Sequence, residues 1–192
     1  MNTPFFITGL PRTRTAWLAN LFCTESTVCF HEPQQTVSEL VRSYPWLRIG
    51  VADSTLPLKY GALRDVYPTA RWLYVEREPA EAMRSFLRFT REHVKLLGRH
   101  VQSFWAMHHS ATRVMYKAAG EELLVVKFEE LHDPVVVTRA WEHLLPASIP
   151  INPVRLDALQ RLKIEQSPER FQQLAGEAIN RYAGLRGDPW QH

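Results

Sequence analysis

Within nine residues, Gly9-Leu10-Pro11-Arg12-Thr13-Arg14-Thr15-Ala16-Trp17, the chain gathers two guanidinium groups and two hydroxyls. Arginine keeps its charge at any physiological pH and offers a planar fork that meets two oxygens of an oxyanion at once. The run before this segment, residues 4–8 (PFFIT), is apolar, aromatic and β-branched, which predicts a buried strand. The run after it, TAWLANLFC, sets Trp17, Leu18, Leu21 and Phe22 at helical spacing. A strand that turns at a glycine into a helix aims free backbone N–H groups and the positive helix end at one point. Phosphate or sulfate is the ligand such a point attracts. The pattern GxxxxGK[ST] of magnesium-nucleotide loops is not met, because Arg14 stands at its second glycine, Thr15 at its lysine and Ala16 at its hydroxyl.

Further candidates stand after other β-like runs. Arg77-Glu78-Pro79 follows RWLYV, with Ser85 eight residues after Arg77; His31-Glu32-Pro33 follows TVCF; Asp53-Ser54-Thr55 follows RIGVA. Each has a plainer reading beside the chemical one. Glu32 can begin a helix, His31 can be a turn or core histidine, and Asp53 can cap a helix. Trp17 sits at a core-like helical position, and Arg77 and Ser85 can be a surface ion-pair residue and a helix serine. His108 and His109 are adjacent rather than four apart, with no paired cysteines near, so no metal site is expected. Arg84, Arg88, Arg91, Lys95 and Arg99 form a basic stripe, either a solvated helix face or an attractor for an anionic acceptor.

The elements that must position these groups alternate. Strands are expected at residues 4–8, 27–30, 48–52, 71–75 and 123–128. Helices are expected from 15, around 38–42, and at 58–66, 80–97 and 101–119, with a C-terminal helix opened by Ser167-Pro168 and burying Phe171, Leu174, Ala178, Ile179 and Tyr182. This order predicts an α/β fold, three layers α/β/α around a mainly parallel sheet, whose ligands bind at the carboxyl ends of the strands.

The 192 residues carry 45% hydrophobic and 22% charged side chains, which suits a single globular domain spanning 1–192 and excludes collagen-like and disordered chains. Cys23 and Cys29 are too few for a disulfide scaffold and are expected to be buried thiols of a reduced compartment. No apolar run approaches a membrane span, so a cytoplasmic protein without a membrane partner is expected. The net charge of +3 and pI near 9.0 admit an anionic partner. The arginines are spread along the chain without a nucleic-acid signature, so a phosphorylated small molecule is expected instead of nucleic acid.

TGLPRTRTAWLANLF resembles the 5′-phosphosulfate loop of sulfotransferases that use 3′-phosphoadenosine 5′-phosphosulfate (PAPS). YPTARWLYVEREPAEAMRS resembles their second signature, through Arg77, Glu78, Pro79 and Ser85, and LLVVKFEELHDP resembles their next strand, through Glu129-Glu130-Leu131. The resemblance spans about residues 5–145. It implies a P-loop NTPase-like fold, PAPS as co-substrate with PAP as product, no metal, and transfer to a hydroxyl of a carbohydrate or small-molecule acceptor. Position by position, it implies Arg12 at the sulfate and bridging oxygen, Thr13 and Thr15 at phosphate, Trp17 at adenine, and Arg77 and Ser85 at the 3′-phosphate. Gly9, Leu10, Pro11, Arg14 and Ala16 complete the loop, Arg14 in place of the family's glycine and Ala16 in place of a frequent threonine. Glu32, then His31, then Asp53 are the candidate bases. A nucleotide or metabolite kinase and a non-catalytic nucleotide-binding module are the alternatives.

Overall fold

The computed structural model describes residues 3–89 and 94–161. The helix expected from Ser167 lies outside them, as do Arg91 and the side chains of Lys95 and Arg99 in the basic stripe.

Five strands, β1 (Phe5–Gly9), β2 (Thr27–His31), β3 (Arg48–Ala52), β4 (Arg71–Glu76) and β5 (Leu123–Lys127), form one sheet. Their order is β2-β3-β1-β4-β5 and every pairing is parallel. Seven α-helices accompany them among the described residues: α1 (Thr15–Leu21), α2 (Val37–Ser43), α3 (Tyr60–Val66), α4 (Pro79–Phe89), α5 (Val94–Ala119), α6 (Pro134–Leu144) and α7 (Pro153–Arg161).

Alternation of side chains along each strand divides the core into two layers. Phe5, Ile7, Leu73, Val75 and Val126 pack against α1, α6 and α7 through Leu18, Leu21, Val137, Trp141 and Leu156. On the other face Phe6, Ile49, Val51, Trp72 and Tyr74 meet α2, α3 and α5 through Leu40, Tyr60 and Met115. The sheet is thus covered on both sides, the condition for an all-parallel sheet. Gly50 in β3 is required by this packing, since a Cβ there would enter the Phe5 ring.

β1 lies between β3 and β4. The chain leaves it through α1 on one face, whereas α3, which leads from β3 to β4, lies on the other. The loops above β1 therefore part in opposite directions, which opens the crevice where sheets of this kind bind ligands.

Two expectations shift in detail. The helix expected at 58–66 begins as a 3-10 turn, Leu56–Lys59, and becomes α-helical at Tyr60. The break expected between the segments 80–97 and 101–119 falls inside α5, which runs 26 residues from Val94, while α4 spans Pro79–Phe89. Of the two thiols, Cys29 is buried and Cys23 half-buried; both are free. Among the described residues no helix is long and apolar enough to cross a membrane.

Candidate anion site at the carboxyl ends of β1 and β4

The segment after β1 adopts an unusual backbone. Arg12 (φ 72°) and Arg14 (φ 61°) both take left-handed conformations, on either side of Thr13. Alternation of this kind turns successive N–H groups inward and makes a concavity for an anion. At a non-glycine residue the left-handed conformation costs roughly 1–2 kcal/mol. Arg14 thus keeps the backbone shape that the glycine of the resembling loop would supply freely. α1 follows directly: Arg14 is its N-cap, no side chain caps it, and its first turn holds no acid. Gly9 is fixed by close approach, since a Cβ would lie 2.6 Å from both Thr13 Oγ1 and the Val75 carbonyl. Leu10, Pro11 and Thr13 are buried, and Ala16 is half-buried. The Thr13 hydroxyl packs against Gly9 and finds no hydrogen-bond partner.

The end of β4 reaches across to this loop. Arg77 donates from Nη1 to the Arg12 carbonyl at 2.8 Å, and its guanidinium carbon lies 4.0 Å from the centre of the Phe128 ring. Arg14 approaches the same ring at 5.2 Å. Arg77 Nε is buried without a hydrogen-bond partner. Desolvation and, after it, the charge of Arg77 lower the Arg12 pKa, so Arg12, although exposed, stands beside a like charge. Arg77, Glu78 and Pro79 divide their work. Glu78 closes the start of α4, its carboxylate accepting from the N–H groups of Ala80 (3.0 Å) and Glu81 (2.7 Å), and these bonds lower its pKa. Ser85 lies half-buried on the next part of α4.

The candidate bases separate by environment. His31, exposed at the end of β2, has Nε2 3.2 Å from Thr15 Oγ1, which ties the β2 end to the start of α1. Glu32 is exposed, left-handed (φ 48°), and donates its N–H to the Ala52 carbonyl. Asp53 is 4% exposed, and its Oδ1 accepts from the N–H and the hydroxyl of Thr55 at 2.8 and 2.9 Å. Its carboxylate shapes the turn after β3 rather than capping the 3-10 turn that follows, whose N-cap is Thr55. Trp17 is 8% exposed and donates its indole N–H to the Leu159 carbonyl at 2.9 Å, placing its ring within the α1–α7 packing.

A cavity of about 710 Å³ adjoins the loop, with Leu10, Tyr74, Arg77, Trp105, His108 and Tyr116 in its wall. His108 is 1% exposed, Nδ1 lies 3.3 Å from Thr112 Oγ1, and burial pushes its pKa down to about 4 in spite of the backbone of Gly9 and Ser54. The imidazole is therefore neutral at pH 7. Burial also raises the phenol pKa values of Tyr74 and Tyr116. Sequence reading did not single out Phe128 or this cavity. Phe128 reads as one more apolar residue closing LLVVKF, and only the tertiary fold sets it beside two arginines.

The chain matches no protein-family model and no curated protein by sequence. Among solved structures it is similar to mouse sulfotransferase SULT7A1 complexed with PAP, at 12% identity and a TM-score of 0.49, over 92% of this chain. That alignment covers 64% of the mouse chain, less than two thirds of its length.

Proposed function

We propose that this chain is a PAPS-dependent sulfotransferase that acts on a hydroxyl of a carbohydrate or other small-molecule acceptor. The observation that carries the reading is convergence. The three segments that resemble the family's signatures are far apart in sequence, yet Arg77 from the second bonds the backbone of the first and stacks on Phe128 of the third. The groups present suit a nucleotide with two anionic ends: an inward-turned loop backbone, Arg12 and Arg14 on it, and Arg77 with a buried, unpartnered Nε.

PAPS supplies the sulfuryl group. The acceptor oxygen bonds to sulfur as the bond from sulfur to the bridging phosphate oxygen breaks, and PAP leaves. Arg12 and the loop N–H groups neutralise the charge that grows on the departing phosphate. Arg77, with Ser85, holds the 3′-phosphate. Glu32 accepts the proton of the acceptor hydroxyl; His31, held at Thr15, is the second candidate.

The test combines binding and turnover. Calorimetry should show PAP bound far more tightly than AMP, with or without EDTA. Arg77→Ala should weaken PAP by about tenfold or more while hardly changing AMP, since a hydrogen bond to a charged group contributes roughly 1.5–3 kcal/mol. A PAPS-dependent screen of hydroxyl acceptors, read by mass spectrometry, should yield a sulfated product. Glu32→Gln should keep PAP affinity and lose roughly 10²–10⁴ in rate. Equal affinity for AMP and PAP would sink the nucleotide assignment, and magnesium-dependent consumption of ATP would favour a kinase.

A further inference from the structure

Arg14 and Arg77 come from loops more than sixty residues apart, and both guanidinium groups lie over one ring, that of Phe128, at 5.2 and 4.0 Å from its centre. Arg12 is close enough to Arg77 for the two charges to act on each other. Three cations gathered in this way repel, and an aromatic face offsets only part of that repulsion. The ion pairs of Arg84, Lys127 and Arg161 engage Glu81, Glu130 and Asp157, not Arg14 or Arg77. The half-buried Phe128 ring is the object on which both outer arginines rest.

We infer that Phe128 is a positioning residue that sets Arg14 and Arg77 as a paired cationic clamp for the second anionic group of a doubly anionic ligand. Arg14 thereby becomes a binding residue, although it stands where the resembling loop has glycine. The ring lies 4.0 Å from the Arg77 guanidinium carbon and 5.2 Å from that of Arg14, and the N–H groups other than the Arg77 Nη1 bond to the Arg12 carbonyl are the ones to meet oxyanions. The inference rests on the proposed nucleotide reading for the identity of the ligand, but its chemistry requires only two linked anionic groups.

The test uses Phe128→Leu, which keeps an apolar side chain, and Phe128→Tyr, which keeps the ring, with PAP and inorganic pyrophosphate as probes. Phe128→Leu should weaken both probes by about tenfold, and their affinity should then fall less steeply with added salt. Phe128→Tyr should bind as the wild type does. NMR of the unliganded protein should show ring-current shifts on the Arg14 and Arg77 side chains that vanish in Phe128→Leu and persist in Phe128→Tyr. A merely structural role for the ring would lower the melting temperature and leave the salt dependence of binding unchanged. Unchanged affinity and salt dependence in a folded Phe128→Leu protein overturn the clamp. Pyrophosphate binding without PAP binding keeps the clamp and overturns the nucleotide reading; binding of neither probe by the wild type overturns both.

Discussion

Two helices begin side by side above the sheet, and they begin differently. α1 and α4 follow adjacent strands whose ends are in register, Gly9 beside Val75. At α4 the chain fills the positive helix end itself: the Glu78 carboxylate takes two of the first N–H groups. At α1 it does not, for Arg14 caps nothing and no acid follows. Thr36 and Glu39 at α2, Asp133 at α6 and Asn152 at α7 also provide side-chain caps. An anion that enters the crevice therefore meets one closed start and one open start, and the open one carries the arginines. The difference lies in one carboxylate at the start of α4 and two guanidinium groups, Arg12 and Arg14, at the start of α1.

The comparison breaks most severely at Gly9. Gly9→Val places carbon where Thr13 Oγ1 and the Val75 carbonyl already stand, and the carbonyl cannot yield as a side chain can. A loss of about 2–3 kcal/mol in unfolding free energy is expected, together with loss of PAP binding, as denaturant melts and calorimetry would reveal.

Ala16→Glu should make α1 resemble α4. An acid in the first turn should stabilise the fold by roughly 0.3–1 kcal/mol, while its charge weakens PAP by about tenfold or more. A variant that binds PAP as well as the wild type would show that the start of α1 is not where the anion sits.

Glu78→Gln should open α4. The folded pKa of Glu78 is depressed, so its contribution is fully present above the ordinary carboxylate range and is lost as pH falls through the lowered value. The melting temperature of the wild type should exceed that of the variant at pH 7, and the gap should close as the pH falls below the ordinary carboxylate range. PAP binding at pH 7 should not change.

Two opposing effects on stability are expected to offset each other in Arg14→Gly. Relief of a left-handed arginine (φ 61°) returns roughly 1–2 kcal/mol, and the greater freedom of unfolded glycine takes back about 0.5–1 kcal/mol. Chemical denaturation should place the variant between equal to and about 1.5 kcal/mol more stable than the wild type.

The strands were the most legible part of the chain. RIGVA and TVCF are short, but β-branched and aromatic residues bounded by turn residues leave few other conformations, and β3 spans the expected residues 48–52. The continuity of α5 through residues 98–100 was less legible, because Gly98 there reads as a helix break. Around the site, the anion loop could be read from Gly9 and its arginines, since backbone shape there is a local matter. What Asp53, Trp17 and Phe128 touch could not be read. Thr55 occupies the Asp53 carboxylate, the Leu159 carbonyl takes the Trp17 indole N–H, and two distant arginines meet on Phe128. The Trp17 and Phe128 contacts depend on which segments the sheet order brings together, whereas the Asp53 contact with Thr55 is local to its turn.

That sheet order also bears on how the protein is made. β1 pairs with β3 and β4 and not with β2, its successor in the chain. The centre of the sheet cannot be completed until β4 has left the ribosome, roughly 67 residues after β1. At 5–20 residues per second this interval lasts roughly 3–13 s. Throughout it the apolar strand FFITG has no partner on its β4 side, so the middle of the sheet closes only once Glu76 emerges.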